Sequence, residues 1–308
     1  MPGTQDFQAD PRNATALISL NGRLVPRAEA KVSIFDSGFV VGDGVWEGLR
    51  LHRGALLFLD EHLDRLYWGA ERIHLNIGLD RAALMRELWR TLETNGMRDG
   101  VHIRLMVTRG EKSAANQDPR NAIGRPTVAI VAEWKQPSPR ILTDGISLHT
   151  STIRCTPADM FDMRLNSHSR LNLIGALLEA IDAGADEALM LDPNGFVSSC
   201  NATNFFFVSN GTVMTSKGDY CFNGVTRGNV IRLCKQYGMP LQLGDFTLEQ
   251  ARAADEAFVT GTFGGVTPVR EIDGRKLPAA LPAPVTLRVR QLYEQLKEEY
   301  ASSVPVHT

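Results

Sequence analysis

Several places in this 308-residue chain carry side chains, or free backbone groups, that a ligand could use. Gly224-Val225-Thr226 opens an expected helix, Phe222 to Tyr237, whose buried face would be Val230, Leu233, Cys234 and Tyr237. A helix start presents unpaired N–H groups and the positive end of the aligned peptide dipoles, so it is a physical anion site. Arg104 lies in a run where Val101, Ile103, Leu105 and Val107 alternate with His102, Arg104, Met106 and Thr108. As a strand, that run turns Arg104 away from the core. Its planar guanidinium suits a bidentate grip on a carboxylate, and a plain surface cation is the competing reading. His168, in a polar segment, titrates in the range useful for proton transfer, and a structural histidine is the alternative there.

Other chemistries leave no trace. No G-x-S-x-G elbow precedes a helix, and the seven histidines show neither H-E-x-x-H nor H-x-H spacing, so a metal centre is not expected. The four cysteines, Cys155, Cys200, Cys221 and Cys234, have no C-x-x-C spacing, and the start MPGTQDFQAD lacks the basic and apolar parts of a signal peptide. A reduced, cytoplasmic protein is the expectation. A net charge of -2 gives no electrostatic case for nucleic acid or an anionic membrane. No apolar run reaches the roughly 18–20 residues that span a bilayer.

The elements that must position these residues follow from local signals. Ala16 to Pro26 reads as a hairpin around Asn21-Gly22. The glycines at 38, 42, 44 and 48 mark tight turns or close backbone approach. Asp60 to Leu75 reads as an amphipathic helix capped by Asp60, with Leu63, Leu66, Tyr67, Ala70 and Ile73 on one face. A second helix runs from Arg81 to Asn95 between Asp80 and Gly96, and strands cover Val101 to Thr108 and Pro126 to Trp134. After the proline-rich junction QPSPR comes a helix from about Arg170 to Ala183, with Leu171, Ile174, Leu178 and Ile181 on one face, and Gly184 as its C-cap. The buried strand Glu187 to Leu191 follows. DPNG and SNG are hairpin turns, Thr247 to Gln250 is a capping box, Glu256 to Val259 is a strand, and a helix from about Val285 to Tyr300 ends the fold.

Five motifs in order resemble those of the fold-type IV pyridoxal phosphate (PLP) enzymes, the family of branched-chain and D-amino acid aminotransferases. They are G-D-G-V-x-E-G at 42–48, E-H-x-x-R-L at 61–66, the V-S-x-x-x-x-x-N-x-F run at 197–206, G-V-T-R at 224–227 and the turn at 260–269. The resemblance covers residues 17 to about 298. It implies a two-domain α+β fold, which the QPSPR junction divides into a small α+β domain over 15–135, a linker over 136–141 and a larger α+β domain over 142–308, with 1–14 read as a disordered or partner-draped extension. It also implies a homodimer, PLP or its amine form PMP as cofactor, and an amino donor with a ketoacid acceptor as small-molecule partners. By the same resemblance Arg65, Val225, Thr226, Gly261 and Thr262 hold the cofactor phosphate, Asn204 belongs to the cofactor site, and Arg104 meets the substrate carboxylate. A branched-chain-like amino acid is the expected substrate.

Two positions depart from the pattern. The family's polar segment before its central helix carries the lysine that holds the cofactor covalently and moves the proton. No lysine occurs here between Lys135 and Lys217. An ungapped alignment on Asp162 and Glu179-Ala180 puts Asn166 at the lysine's position, and a one-gap alternative puts His168 or Ser169 there. The glutamate that would keep the ring nitrogen charged is replaced by Ser199. Positioned proton transfer alone contributes roughly 10²–10⁴-fold, and an amide supplies none of it. Three readings follow. The first is an aminotransferase-type enzyme holding the cofactor noncovalently, with His168 as its base. The second is a cofactor-binding regulatory protein with little catalysis. The third is an enzyme that has left PLP and uses Cys200, Ser199 or His168.

Overall fold

The computed structural model describes residues 3–304. The chain forms two compact units. Among the described residues, one comprises 8–136, the short segment Leu165–Arg170 and 299–304; the other comprises 3–7, 137–164 and 171–298. The polar segment at 165–170 thus belongs to the same unit as 8–136.

The first unit is built on an antiparallel sheet with the order β2-β1-β6-β5-β3-β4 among the described residues. Its strands are β1 (Leu17–Leu20), β2 (Arg23–Pro26), β3 (Gly44–His52), β4 (Ala55–Leu56), β5 (Val101–Thr108) and β6 (Thr127–Trp134). Asn21 and Gly22 take positive φ at the first hairpin, as the turn requires. Helices α1 (Ser37–Val41), α2 (Leu59–Arg72) and α3 (Arg81–Thr94) accompany the sheet. Leu63 and Leu66 of α2 and Leu84 and Leu88 of α3 join Leu49, Ile103, Leu105 and Ile130 in one buried cluster. Asp80 caps α3 by accepting from Ala83 N–H at 2.6 Å. Asp60 does not cap α2. The helix starts earlier, at Leu59 after Phe58 with φ 53, and Asp60 falls in its first turn, paired with Arg81 at 2.7 Å.

The second unit holds β7 (Ile146–Thr150), β8 (Glu187–Leu191), β9 (Val197–Cys200), β10 (Asn204–Ser209), β11 (Thr212–Ser216), β12 (Leu241–Gly244), β13 (Glu256–Gly261), β14 (Gly265–Ile272) and β15 (Arg275–Lys276). The order is β12-β11-β10-β13-β14-β7-β8-β9, with β15 on β14. Helices α4 (Pro139–Asp144), α5 (Ala158–Phe161), α6 (Leu171–Asp182), α7 (Val225–Gln236), α8 (Leu248–Arg252) and α9 (Pro284–Ser303) complete the chain. Thr247 and Gln250 form both bonds of the capping box. No helix among the described residues is long and apolar enough to cross a membrane.

Two expectations about faces and ends need correction, and the structure settles which way a third face points. The amino-terminal stretch is not a loose extension over its described part: Thr4 is buried and hydrogen-bonded to Glu187, and Asn13 exchanges two 2.9 Å bonds with the backbone of Trp134. Residues 1 and 2 lie outside the described residues. Tyr237 does not join the buried face of α7 but is 41% exposed at its C-cap. The apolar stripe of α6 points outward, with Leu171 81%, Ile174 52%, Leu178 55% and Ile181 55% exposed. Ala176 and Ala180 face inward instead, against Cys155, Met163, Ala188 and Met190. Small residues four apart let the helix sit close to the sheet, which turns the larger ones away.

Candidate functional site

In the unit that contains 171–298, the chemistry gathers around Asn204. Its Nδ2 donates to Phe222 O at 2.6 Å and to Ser199 Oγ at 3.2 Å, and its Oδ1 accepts from Gly224 N–H at 3.2 Å. A Cβ at Gly224 would stand 2.4 Å from that Oδ1, so the approach needs glycine. Asn204 thereby fixes the entry of α7, whose N-cap, Gly224, offers no side-chain cap to the first N–H groups. Val225 and Thr226 form the first turn, and Thr226 Oγ1 lies 3.3 Å from Tyr293 Oη. Beside it the buried Arg227 donates to Ser216 O at 2.6 Å and to Asn223 Oδ1 at 3.2 Å.

Antiparallel pairing sets Asn204 opposite Thr260, so Gly261, the last residue of β13, and Thr262, in the turn after it, follow directly. Thr260 Oγ1 and Asn229 Nδ2 are buried without a hydrogen-bond partner among the described residues. Buried polar atoms are nearly always satisfied, so orphans of this kind mark a place for a group the protein itself does not supply. An uncapped helix start and an orphan hydroxyl fit a phosphate ester.

Ser199 is already engaged. Its hydroxyl donates to Thr203 O at 2.8 Å while accepting from Asn204. Its one proton is committed to Thr203 O, so it would have to leave that oxygen to donate to a ring nitrogen, and it cannot hold such a nitrogen charged. Burial raises the thiol pKa of Cys200 well above its ordinary value, and raises that of Cys155 to about 12. Both stay protonated, which removes Cys200 as a ready nucleophile.

In the other unit, the segment Leu165–Arg170 lies along the start of β3. The backbone N–H of Trp46 donates to Asn166 O at 2.9 Å, that of His168 donates to Gly44 O at 3.0 Å, and Val45 pairs with Ser167. Gly44 allows this, since a Cβ there would lie 2.4 Å from Val107 O and 2.6 Å from His168 Cδ2. The Asn166 side chain is buried, its Oδ1 accepting from Arg170 Nη2. Arg170 Nε donates to Ser167 O at 2.9 Å, an oxygen that also receives Trp46 Nε1–H at 3.0 Å. Ser169 is tied to Gly42 O at 3.2 Å.

His168 Nε2 is shielded from solvent and has no partner among the described residues. Burial, then the charges of Arg104 and Arg170, lower its pKa, against the opposing pull of Asp36 and a backbone bond at Val45. It is therefore neutral at neutral pH, the form that can accept a proton. Arg104 stands on the outward side of β5, with its guanidinium carbon 3.6 Å from the Trp46 ring centroid.

Arg65 is engaged differently from a free phosphate ligand. Its Nε and Nη2 grip the two oxygens of Glu47 at 2.7 Å each, and His62 Nδ1 lies 2.7 Å from Glu47 Oε2. Burial pushes the Glu47 carboxyl up, but Arg65 and His62 more than offset this and hold it below its ordinary value. Sequence reasoning placed Glu47 and Arg65 in separate motifs and did not pair them. It also overlooked Trp46 and Arg170, because nothing local connects residues so far apart in the chain.

Residues 44–272 match the model of the amino-transferase class IV family. The chain is 40% identical over 302 residues to branched-chain-amino-acid aminotransferase-like protein 2 of Arabidopsis thaliana, covering 97% of this chain and 53% of that protein. It is 37% identical to a putative branched-chain-amino-acid aminotransferase of Methanocaldococcus jannaschii, covering 93% of this chain and 98% of the relative. Among solved structures, the branched-chain amino acid aminotransferase of T.th. with pyridoxamine 5'-phosphate superimposes with a TM-score of 0.85 at 32% identity, covering 94% of this chain and 96% of that one. The chain thus spans about half the length of its Arabidopsis relative and nearly all of the other two.

Proposed function

This chain belongs to the class IV aminotransferase family, and from that premise we propose that it binds PLP or PMP noncovalently and acts on an amino acid and a ketoacid without a lysine. What carries the proposal is the Asn204 clamp, which holds an uncapped helix start, Val225-Thr226, in the unit that also presents Gly261-Thr262 and the orphan hydroxyl of Thr260. Val225, Thr226, Gly261 and Thr262 would hold the phosphate through N–H and hydroxyl donors, while Arg65, which the family resemblance adds to them, is engaged by Glu47. Ser199 would bond the ring nitrogen. Bound PLP supplies an electron sink for charge developing on the substrate carbon.

The remaining tasks fall to this chain's own groups. Arg104 grips the substrate carboxylate, and neutral His168 takes up and returns the proton at Nε2. Asn166, its Oδ1 held by Arg170, cannot do either job of a lysine. A branched-chain-like substrate fits the relatives' names. The exposed stripe Leu171, Ile174, Leu178 and Ile181 supports a homodimer, since such a patch is stable when a second copy covers it. The four free, buried cysteines suit a reducing compartment such as the cytoplasm.

One observation favours a second reading, a cofactor-binding regulator. Ser199 and Asn166 are both committed to protein partners, so the two altered positions are built as structure. The test separates the two. Protein reconstituted with PLP should be yellow, should release the cofactor on denaturation and should show no borohydride-stable adduct. Asn166→Lys with Ser199→Glu should form such an adduct and gain turnover. PLP release with amino-acid turnover supports the enzyme, release without turnover supports the regulator, and failure to take up PLP refutes both.

A further inference from the structure

Helix α9 is fixed at its start by the strand that leads into the turn assigned to the phosphate. Glu256, the first residue of β13, is buried and accepts from Val285 N–H at 3.0 Å, Thr286 N–H at 2.7 Å and the Thr286 hydroxyl at 2.8 Å. A carboxylate there satisfies amides that the helix leaves unpaired and meets the positive end of its dipole, so α9 has a set position relative to β13. Tyr293 comes about two turns further along α9.

The Tyr293 side chain is buried, with its hydroxyl oxygen 3.3 Å from Thr226 Oγ1 in the first turn of α7. Its ring lies against Gly265, where a Cβ would stand 3.5 Å from Tyr293 Cε1. Gly265 pairs with Gly261 and closes the turn that carries Thr262. One side chain thus backs both pieces of chain assigned to the phosphate.

The ligand sets the direction of the Tyr293–Thr226 bond. A hydroxyl carries one proton, and the oxygens of a phosphate monoester dianion only accept. Thr226 can give its proton to such a ligand only when it does not spend it on Tyr293, so Tyr293 must be the donor between the two. Burial raises the pKa of the Tyr293 hydroxyl to about 12, against the pull of the Thr226 bond and with a further push from Glu294, so the phenol keeps its proton at neutral pH. Consecutive bonds from phenol to threonine to anion polarise one another.

We propose that Tyr293 is a positioning residue for the phosphate site: by donating to Thr226 Oγ1 it turns the threonine proton toward the bound phosphate. The inference rests on the functional reading above and adds to it a residue that none of the family motifs contains.

The full chain is dialysed to equilibrium with PLP, with pyridoxal, which lacks the phosphate, and with labelled inorganic phosphate. Tyr293→Phe keeps the ring on Gly265 and removes the hydroxyl. It should bind PLP and inorganic phosphate roughly fivefold more weakly than wild type, the loss expected for one neutral hydrogen bond, with pyridoxal binding unchanged. Thr226→Val should lose roughly tenfold for the same two ligands. In that background Tyr293→Phe should cost nothing further, because its effect passes through the missing hydroxyl. A tyrosine that only supported the fold would weaken binding by the same factor in both backgrounds.

Wild-type affinity for PLP and phosphate in Tyr293→Phe, or an equal loss with and without the Thr226 hydroxyl, overturns the proposal. If Tyr293→Phe fails to fold, Thr226→Val decides: a loss confined to the phosphorylated ligand and phosphate supports the proposal, and unchanged affinity overturns it. Tyr293-dependent phosphate binding without PLP uptake sinks only the cofactor reading, and PLP uptake indifferent to Tyr293→Phe sinks only the tyrosine's role. A wild type that binds neither ligand sinks both.

Discussion

Replacing Glu47 with glutamine tests how the first unit is held together. Glu47 is wholly buried, gripped by Arg65 through two 2.7 Å bonds and by His62 at 2.7 Å, while the Arg65 side chain is 13% exposed. Glutamine keeps the shape but leaves Arg65 charged and largely buried without this counter-ion, and one of its two former acceptors becomes a donor. Breaking one side of a buried ion pair costs about 3–5 kcal/mol. For a unit of this size each kcal/mol moves the melting midpoint by about 2–4 °C, so Glu47→Gln should lower it by on the order of 10 °C at neutral pH. Tryptophan fluorescence follows this unit selectively, since all four tryptophans lie in it. The folded pKa of Glu47 lies below its ordinary value of 4.5, so its contribution is complete above about pH 4.5 and is lost as pH falls through the lower, folded value. The gap between wild type and variant should thus be widest near neutrality and narrow in acid. A variant within about 1 kcal/mol of wild type at pH 7, or a gap that widens on acidification, would refute this account of the Glu47 cluster.

Asn204→Ala removes the side chain that satisfies Phe222 O and Gly224 N–H, so it should cost about 1–3 kcal/mol and weaken PLP uptake roughly tenfold, read by equilibrium dialysis. Gly44→Ala places a methyl 2.4 Å from Val107 O and should destabilise by about 3 kcal/mol or more, seen as a lowered urea midpoint of the tryptophan signal. Ile174→Glu with Leu178→Glu alters a stripe that is exposed in one copy. It should turn a dimer into a monomer in sedimentation while leaving the tryptophan melting curve of the monomeric unit in place.

Much of the architecture was legible without coordinates. Asn21-Gly22, the Asp80 cap and the Thr247–Gln250 capping box are set by interactions within a few residues, where backbone preference and short polar side chains decide the outcome. The alternation in β5 fixed which side Arg104 would take for the same reason. Local evidence misled where two cues competed. Asp60 had the chemistry of a cap, but the approach of the chain through Phe58 started the helix before Asp60 was reached.

What the sequence determined by itself is many of the longer elements, the family motifs and the absence of lysine between Lys135 and Lys217, because each is a property of residue identity and spacing. Only the tertiary structure decided partners. It joined Glu47 to Arg65, brought Arg170 to the Trp46 ring of β3, tied Asn204 to the entry of α7, and turned the large residues of α6 outward by packing Ala176 and Ala180 inward. Periodicity says that side chains share a face. Which face is buried, and which charge meets which, depends on close packing among residues distant in the chain, and no local preference encodes that.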